Sequence, residues 1–178
     1  MDSQNNGVIT DLKQKNTQYQ SDFLDIFSHH VKGQSPKVAI LTCADSRVIP
    51  EYIFNATLGE LFVVRVAGNI AVDETVIASL EYAVNHLRIS HLIILGHTHC
   101  GAVKAAEASP ESDSLLIKEI RKGFDFDEQN HVKANLTRQL NMIPKRSASI
   151  NQAINKGSLQ LLGAIYHLKD GHVEFINP

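Results

Sequence analysis

The sequence predicts an α/β fold: a mainly parallel β-sheet flanked by helices, with an antiparallel edge strand at its carboxyl-terminal end. Three observations carry this expectation. The short uncharged runs Val38-Ala39-Ile40-Leu41 and Leu92-Ile93-Ile94-Leu95 read as strands covered on both faces. Segments of helical periodicity separate the strand-like runs, the order expected when crossovers join parallel strands. The chain closes with two β-rich runs divided by the turn Asp170-Gly171, which reads as a hairpin.

Between residues 11 and 31, Leu12, Tyr19, Phe23, Leu24, Ile26 and Phe27 fall at partly helical spacing, giving one or two helices closed by Gly33 and Pro36. A strand over residues 37–42 follows, and Pro50 opens a short helix carrying Tyr52, Ile53 and Phe54. Residues 61–67 form the second strand. Asp73 caps a helix in which Val76, Ile77, Leu80, Ala83, Val84 and Leu87 make one apolar face. The third strand spans residues 91–95, with Gly96 turning the chain at its end. A helix beginning near Cys100 or Gly101 runs until Pro110, and residues 112–127 read as mostly helical and charged. Helices over 129–142, ended by Pro144, and 147–156, ended by Gly157, precede strands at 159–168 and 173–176.

With 178 residues, 43% of them hydrophobic, the chain can bury one full core and is short for two. A single domain over 1–178 with a helical arm at about 1–32 is the expected organisation. The net charge of −2, with Lys and Arg scattered among acids, gives no footprint for a nucleic acid or an anionic membrane surface. No apolar stretch approaches spanning length. The start, Met1-Asp2-Ser3-Gln4-Asn5-Asn6, lacks the apolar core of a secretory signal, so a cytoplasmic location is expected.

The chemistry-bearing residues crowd into two clusters, each directly after a predicted buried strand: Cys43-Ala44-Asp45-Ser46-Arg47 and His97-Thr98-His99-Cys100-Gly101. Loops at the carboxyl ends of such strands are where open α/β sheets bind ligands. The clusters hold the only two cysteines of the chain, and the lack of a Cys-x-x-Cys pair weakens a thiol redox reading. Two thiolates and one imidazole give a tetrahedral metal three ligands and leave the fourth position to water or substrate, as in catalytic zinc sites. His97, three residues before Cys100, reaches round one metal more easily than the adjacent His99, which stands as the alternative ligand. Asp45 is placed to accept a hydrogen from metal-bound water, and Arg47 to fork onto that carboxylate and keep it ionised. Gly101 opens a helix whose backbone N–H groups suit a small anion.

Each residue has an ordinary reading too. Isolated cysteines are commonly core residues, and an Asp–Arg pair is commonly a surface ion pair worth little. His29, His30, His86, His91, His131, His167 and His172 show no partner pattern and read as surface or structural. What these readings leave unexplained is the crowding of polar groups after two buried strands.

In order and spacing, Cys43-Ala44-Asp45-Ser46-Arg47-Val48, Leu61-Phe62-Val63-Val64-Arg65-Val66-Ala67-Gly68-Asn69, Ser79-Leu80-Glu81-Tyr82-Ala83-Val84 and Gly96-His97-Thr98-His99-Cys100-Gly101-Ala102-Val103 resemble the β class of carbonic anhydrases. The resemblance is dense over residues 33–106 and looser over 163–175. It implies zinc (Zn2+) held by Cys43, His97 and Cys100, with Asp45 and Arg47 as the catalytic dyad. It also implies that Gln34, Phe62 and Tyr82 of a neighbouring subunit line the substrate pocket: Gln34 donates to a substrate oxygen, the two rings form an apolar CO2 slot, and the Gly101 amide adds a contact. The implied activity is reversible hydration of CO2 to bicarbonate and a proton by attack of zinc-bound hydroxide, in a homodimer or dimer of dimers. Hydrolysis of carbonyl sulfide or carbon disulfide at the same zinc is the alternative, and a noncatalytic zinc-containing α/β binding protein is a further one. The chain has no tryptophan, which implies that it lacks the noncatalytic bicarbonate site of some members. Residues 109–129 and the amino terminus have no counterpart in the resemblance.

Overall fold

The computed structural model of the chain describes residues 2–124 and 130–176. It divides into two units, Met1–Gln34 and Ser35–Pro178. The first is built on one unbroken helix, α1 (Asp2–His30), which starts well before the predicted position near 11. Tyr19 packs its ring on Phe23 and Phe27, with centroids 4.8 and 5.5 Å away, the contacts that spacings of four and eight residues place on one helix face. Val8, Leu12, Phe23 and Leu24 are exposed.

The second unit is a five-stranded sheet in the order β2-β1-β3-β4-β5. Its strands are β1 (Val38–Thr42), β2 (Leu61–Arg65), β3 (His91–His97), β4 (Gln160–Tyr166) and β5 (Val173–Ile176). The first four lie parallel and β5 pairs antiparallel with β4, as the sequence predicts. The helices are α2 (Pro50–Ile53), α3 (Glu74–Asn85), α4 (Gly101–Ala108), α5 (Leu115–Arg121), α6 (His131–Arg146) and α7 (Ala148–Asn155). Because strand side chains alternate, Ala39, Leu41, Leu92 and Ile94 join Leu80 of α3, Leu136 and Ile143 of α6 and Ile150 of α7 in one apolar cluster. Ile40, Ile93, Leu95 and Ala164 form another with Val48, Ile53 and Phe54. Each fully buried Leu or Ile contributes about 1.5–3 kcal/mol, which makes these two clusters the main support of the sheet.

Topology fixes where the site lies. The chain leaves β1 toward β2 on one side and leaves β3 toward β4 on the other, so adjacent β1 and β3 send their loops in opposite directions. A crevice opens where neighbouring strands diverge in this way, and both polar clusters lie there.

Four local expectations are corrected. β2 ends at Arg65, because Gly68 (φ +66°) and Asn69 (φ +46°) carry the chain through a 3-10 turn, Ala67–Asn69. β3 continues to His97, since pairing with Ile165 and Tyr166 keeps Gly96 and His97 in the sheet; the turn falls instead at His99, φ +54°. α6 passes through Pro144, which cannot donate the bond that the Leu140 carbonyl would otherwise accept. There Ile143 is fully buried, and the Ser147 N–H, donating to the Ile143 carbonyl, sets the end. Within the predicted helical stretch 112–127 only α5 is helical, and positions 125–129 lie outside the described residues. No helix among the described residues is long and apolar enough to cross a membrane.

Candidate metal centre

Cys43 is the first residue after β1, His97 the last of β3, and Cys100 the residue that caps α4. Parallel pairing of Thr42 with Leu95 sets the two strand ends side by side, and the buried Thr42 hydroxyl locks them by donating to the Leu95 carbonyl at 3.0 Å. The second loop is held from β4: the Thr98 N–H donates to the Tyr166 carbonyl, and the Thr98 hydroxyl accepts from the Leu168 N–H.

The Cys43 and Cys100 sulfurs and a His97 ring nitrogen all lie within 4.8 Å of one another, and all three residues are buried. Both cysteines are free thiols, 4.0 Å apart. His97 Nδ1 is 3.0 Å from the Thr98 carbonyl, which can only accept, so that nitrogen carries the proton and Nε2 presents a lone pair. Nε2 is buried and has no hydrogen-bond partner. An orphaned imidazole lone pair aimed among two buried thiols is what a cation would satisfy, and a donor set of two sulfurs and one nitrogen suits zinc. Contact with Cys100 draws the Cys43 thiol below its ordinary range, against the opposing effect of burial. Cys100 is pushed up by that same contact and by burial.

Asp45 stands over this cluster with Oδ2 3.9 Å from His97 Nε2. Arg47 forks onto it: Nε donates to Oδ1 at 2.9 Å, Nη2 to Oδ2 at 2.7 Å, and the Arg47 backbone N–H adds a bond to Oδ1 at 3.0 Å. The guanidinium therefore holds the carboxyl well below the usual carboxylate range. Arg47 also reaches the His99 carbonyl at 3.4 Å, tying the two loops together.

A family model described as carbonic anhydrase matches residues 38–173. The chain is 36% identical over 172 residues to Carbonic anhydrase 2 of Mycobacterium tuberculosis, covering 86% of this chain and 81% of that relative. It also superposes on the Coccomyxa β-carbonic anhydrase solved with acetazolamide, at a TM-score of 0.80 and 27% identity over 96% of this chain and 85% of that one. The chain belongs to the β class of carbonic anhydrases. A chain from the crystal structures of two tetrameric β-carbonic anhydrases of Sordaria macrospora shares the fold, with a TM-score of 0.81 at 22% identity, covering 97% of this chain and 98% of that one.

In this β-carbonic anhydrase the structure brings five of the predicted residues together: Cys43, His97, Cys100, Asp45 and Arg47. Gly101 follows as the first residue of α4, where a Cβ would meet nothing within 4 Å. Phe62 on β2 and Tyr82 on α3 face each other with ring centroids 6.1 Å apart, and Tyr82 is 46% exposed. Gln34 is an exposed residue at the end of the amino-terminal unit. A cavity of about 440 Å³ touches Cys100 and His99 and runs past Lys104, Glu107 and His131, and its described lining includes none of Asp45, Phe62 and Tyr82.

Two contributors were not foreseen. The Gly68 N–H donates to Cys43 Sγ at 3.3 Å, and Arg65 braces the first loop by donating to the Asp45 carbonyl at 2.7 Å. Both act on or through backbone atoms; the only sequence signal is the run Arg65-Val66-Ala67-Gly68-Asn69, which spans the end of β2 and the turn after it. His131, read as unpartnered, stacks on Phe124 and has Nδ1 2.8 Å from a Glu107 carboxylate oxygen.

Proposed function

We propose that this chain catalyses the reversible hydration of CO2 to bicarbonate and a proton, with zinc held by Cys43, His97 and Cys100. The observation that carries the reading is the buried, partnerless His97 Nε2 between two thiols and beneath an Arg47-clamped carboxylate. Bound there, zinc supplies the Lewis acidity that makes a water nucleophilic near neutral pH.

The chain's own residues do the rest. Asp45 Oδ2 accepts a hydrogen from the attacking water and so directs its lone pair at the carbon of CO2. Arg47 keeps Asp45 ionised and, by occupying both carboxylate oxygens, restrains it from taking the position that water needs. The Gly101 N–H, at the start of α4, donates to a bicarbonate oxygen. Phe62 and Tyr82 supply an apolar wall and Gln34 a donor, contributed by a second copy of the chain to its neighbour's pocket. The half-exposed Tyr82 supports such an assembly, as does the tetrameric state of the Sordaria proteins. A homodimer is the minimum assembly this reading requires, and the cytoplasm is the location it expects.

The test is a side-by-side assay of zinc-loaded protein on CO2 and carbonyl sulfide. Fast hydration with slow sulfide release supports the proposal. Fast sulfide release with slow hydration would replace CO2 as the substrate, and zinc without either activity would make the site noncatalytic.

A further inference from the structure

Asn135 and Gln139 are polar residues on the core face of α6, 1% and 0% exposed, in a helix that otherwise buries Ala134, Leu136 and Ile143. Two amides enclosed this fully are tolerated only if they are hydrogen-bonded. The Ala71 N–H donates to Gln139 Oε1 at 2.9 Å, Gln139 Nε2 donates to Asn135 Oδ1 at 3.1 Å, and Asn135 Nδ2 donates to the Gly68 carbonyl at 2.8 Å. The ends fix the direction of this relay. A backbone N–H at one end requires an amide oxygen, a carbonyl at the other requires an amide nitrogen, and a flip of either side chain breaks it.

The relay ends on the carbonyl of the residue whose own N–H reaches Cys43. Gly68 and Asn69 are both in the left-handed region, which glycine adopts freely and Asn69 adopts only at a cost its surroundings must offset. Gly68, pinned through its carbonyl by Asn135, turns its N–H onto Cys43 Sγ at 3.3 Å. A hydrogen bond to a ligating sulfur withdraws charge from it and fixes its orientation.

We propose that Asn135 and Gln139 are positioning residues of the metal centre: their relay holds the Ala67–Asn69 turn so that the Gly68 N–H is delivered to the Cys43 thiolate. The proposal rests on the reading of Cys43, His97 and Cys100 as zinc ligands. It assigns a ligand-tuning role to two residues more than ninety positions away from Cys43 in the chain.

The experiment uses the full chain as wild type, Asn135→Ala and Gln139→Leu, with Ile150→Ala, a fully buried α7 residue, as a stability control. Zinc affinity is measured by competition with a chromophoric chelator, and the thiolate-to-metal charge-transfer band is recorded on cobalt-substituted protein. Both relay variants should bind zinc about 10- to 100-fold more weakly and move the band to longer wavelength, while Ile150→Ala changes neither. Gln139→Leu nearly conserves volume, so it decides the outcome where Asn135→Ala does not fold. Wild-type affinity and an unmoved band in a folded relay variant would overturn the proposal, as would an equal loss in Ile150→Ala. A wild-type chain that binds no zinc would overturn the metal reading itself, and the proposal with it.

Discussion

At position 97 one backbone contact decides which ring nitrogen is free. With Nδ1–H spent on the Thr98 carbonyl, Nε2 is left buried without a partner, a cost of about 1–3 kcal/mol that a bound cation removes. Cys100→Ser should therefore lose zinc, read as metal content after gel filtration. Asp45→Asn should retain zinc and lose about 10²- to 10⁴-fold in CO2 hydration, because the carboxylate orients the nucleophile without ligating. An Asp45→Asn protein of full activity would remove Asp45 from the mechanism. The side chains of this centre were legible in the sequence because Cys, His, Asp and Arg crowd together directly after two buried strands, although each alone has an ordinary structural reading. The Gly68 N–H was not, because every residue but proline carries that group and only the turn conformation aims it at sulfur.

The Ala67–Asn69 turn shows how an element can carry function without functional side chains. A Cβ on Gly68 would approach Ile120 Cδ1 to 2.7 Å at a φ of +66°, so Gly68→Ala should cost about 1–3 kcal/mol in urea unfolding. An unchanged midpoint would mean that the turn relaxes freely. The α6–α7 junction invites a second test. The Ser147 side chain accepts from the Ile150 N–H, so Ser147→Ala should lose about 1 kcal/mol in the same assay. Strands and helices were legible from apolar periodicity, whereas several of their ends were not. Gly96 looks like a turn locally but is kept extended by pairing to β4, and Pro144 looks like a stop, yet α6 runs on to Arg146 around the buried Ile143 despite the bond to the Leu140 carbonyl that proline cannot donate.

Over the whole molecule, charge and assembly set the remaining expectations. Glu119, mostly buried, pairs with Lys122 and with Arg138 at 3.1 Å, and these cations, Lys122 first, hold its carboxyl below the ordinary range. A depressed carboxyl stabilises the fold above its unfolded pKa of about 4.3 and loses that contribution as pH falls through the lower folded value. The Tm gap between wild type and Glu119→Gln should therefore be full at pH 7 and close on acidification; a pH-independent gap would contradict the pairing. If Tyr82 serves the neighbouring copy, mixing Asp45→Asn with Tyr82→Ala protein should restore roughly a quarter of wild-type activity, since each mixed dimer regains one intact pocket. No restoration would place Tyr82 in its own chain's site. The most direct measurement is stopped-flow CO2 hydration by purified protein whose zinc is quantified in the same sample. Fast turnover at about one zinc per chain is the predicted result, and full zinc with no hydration would contradict the account.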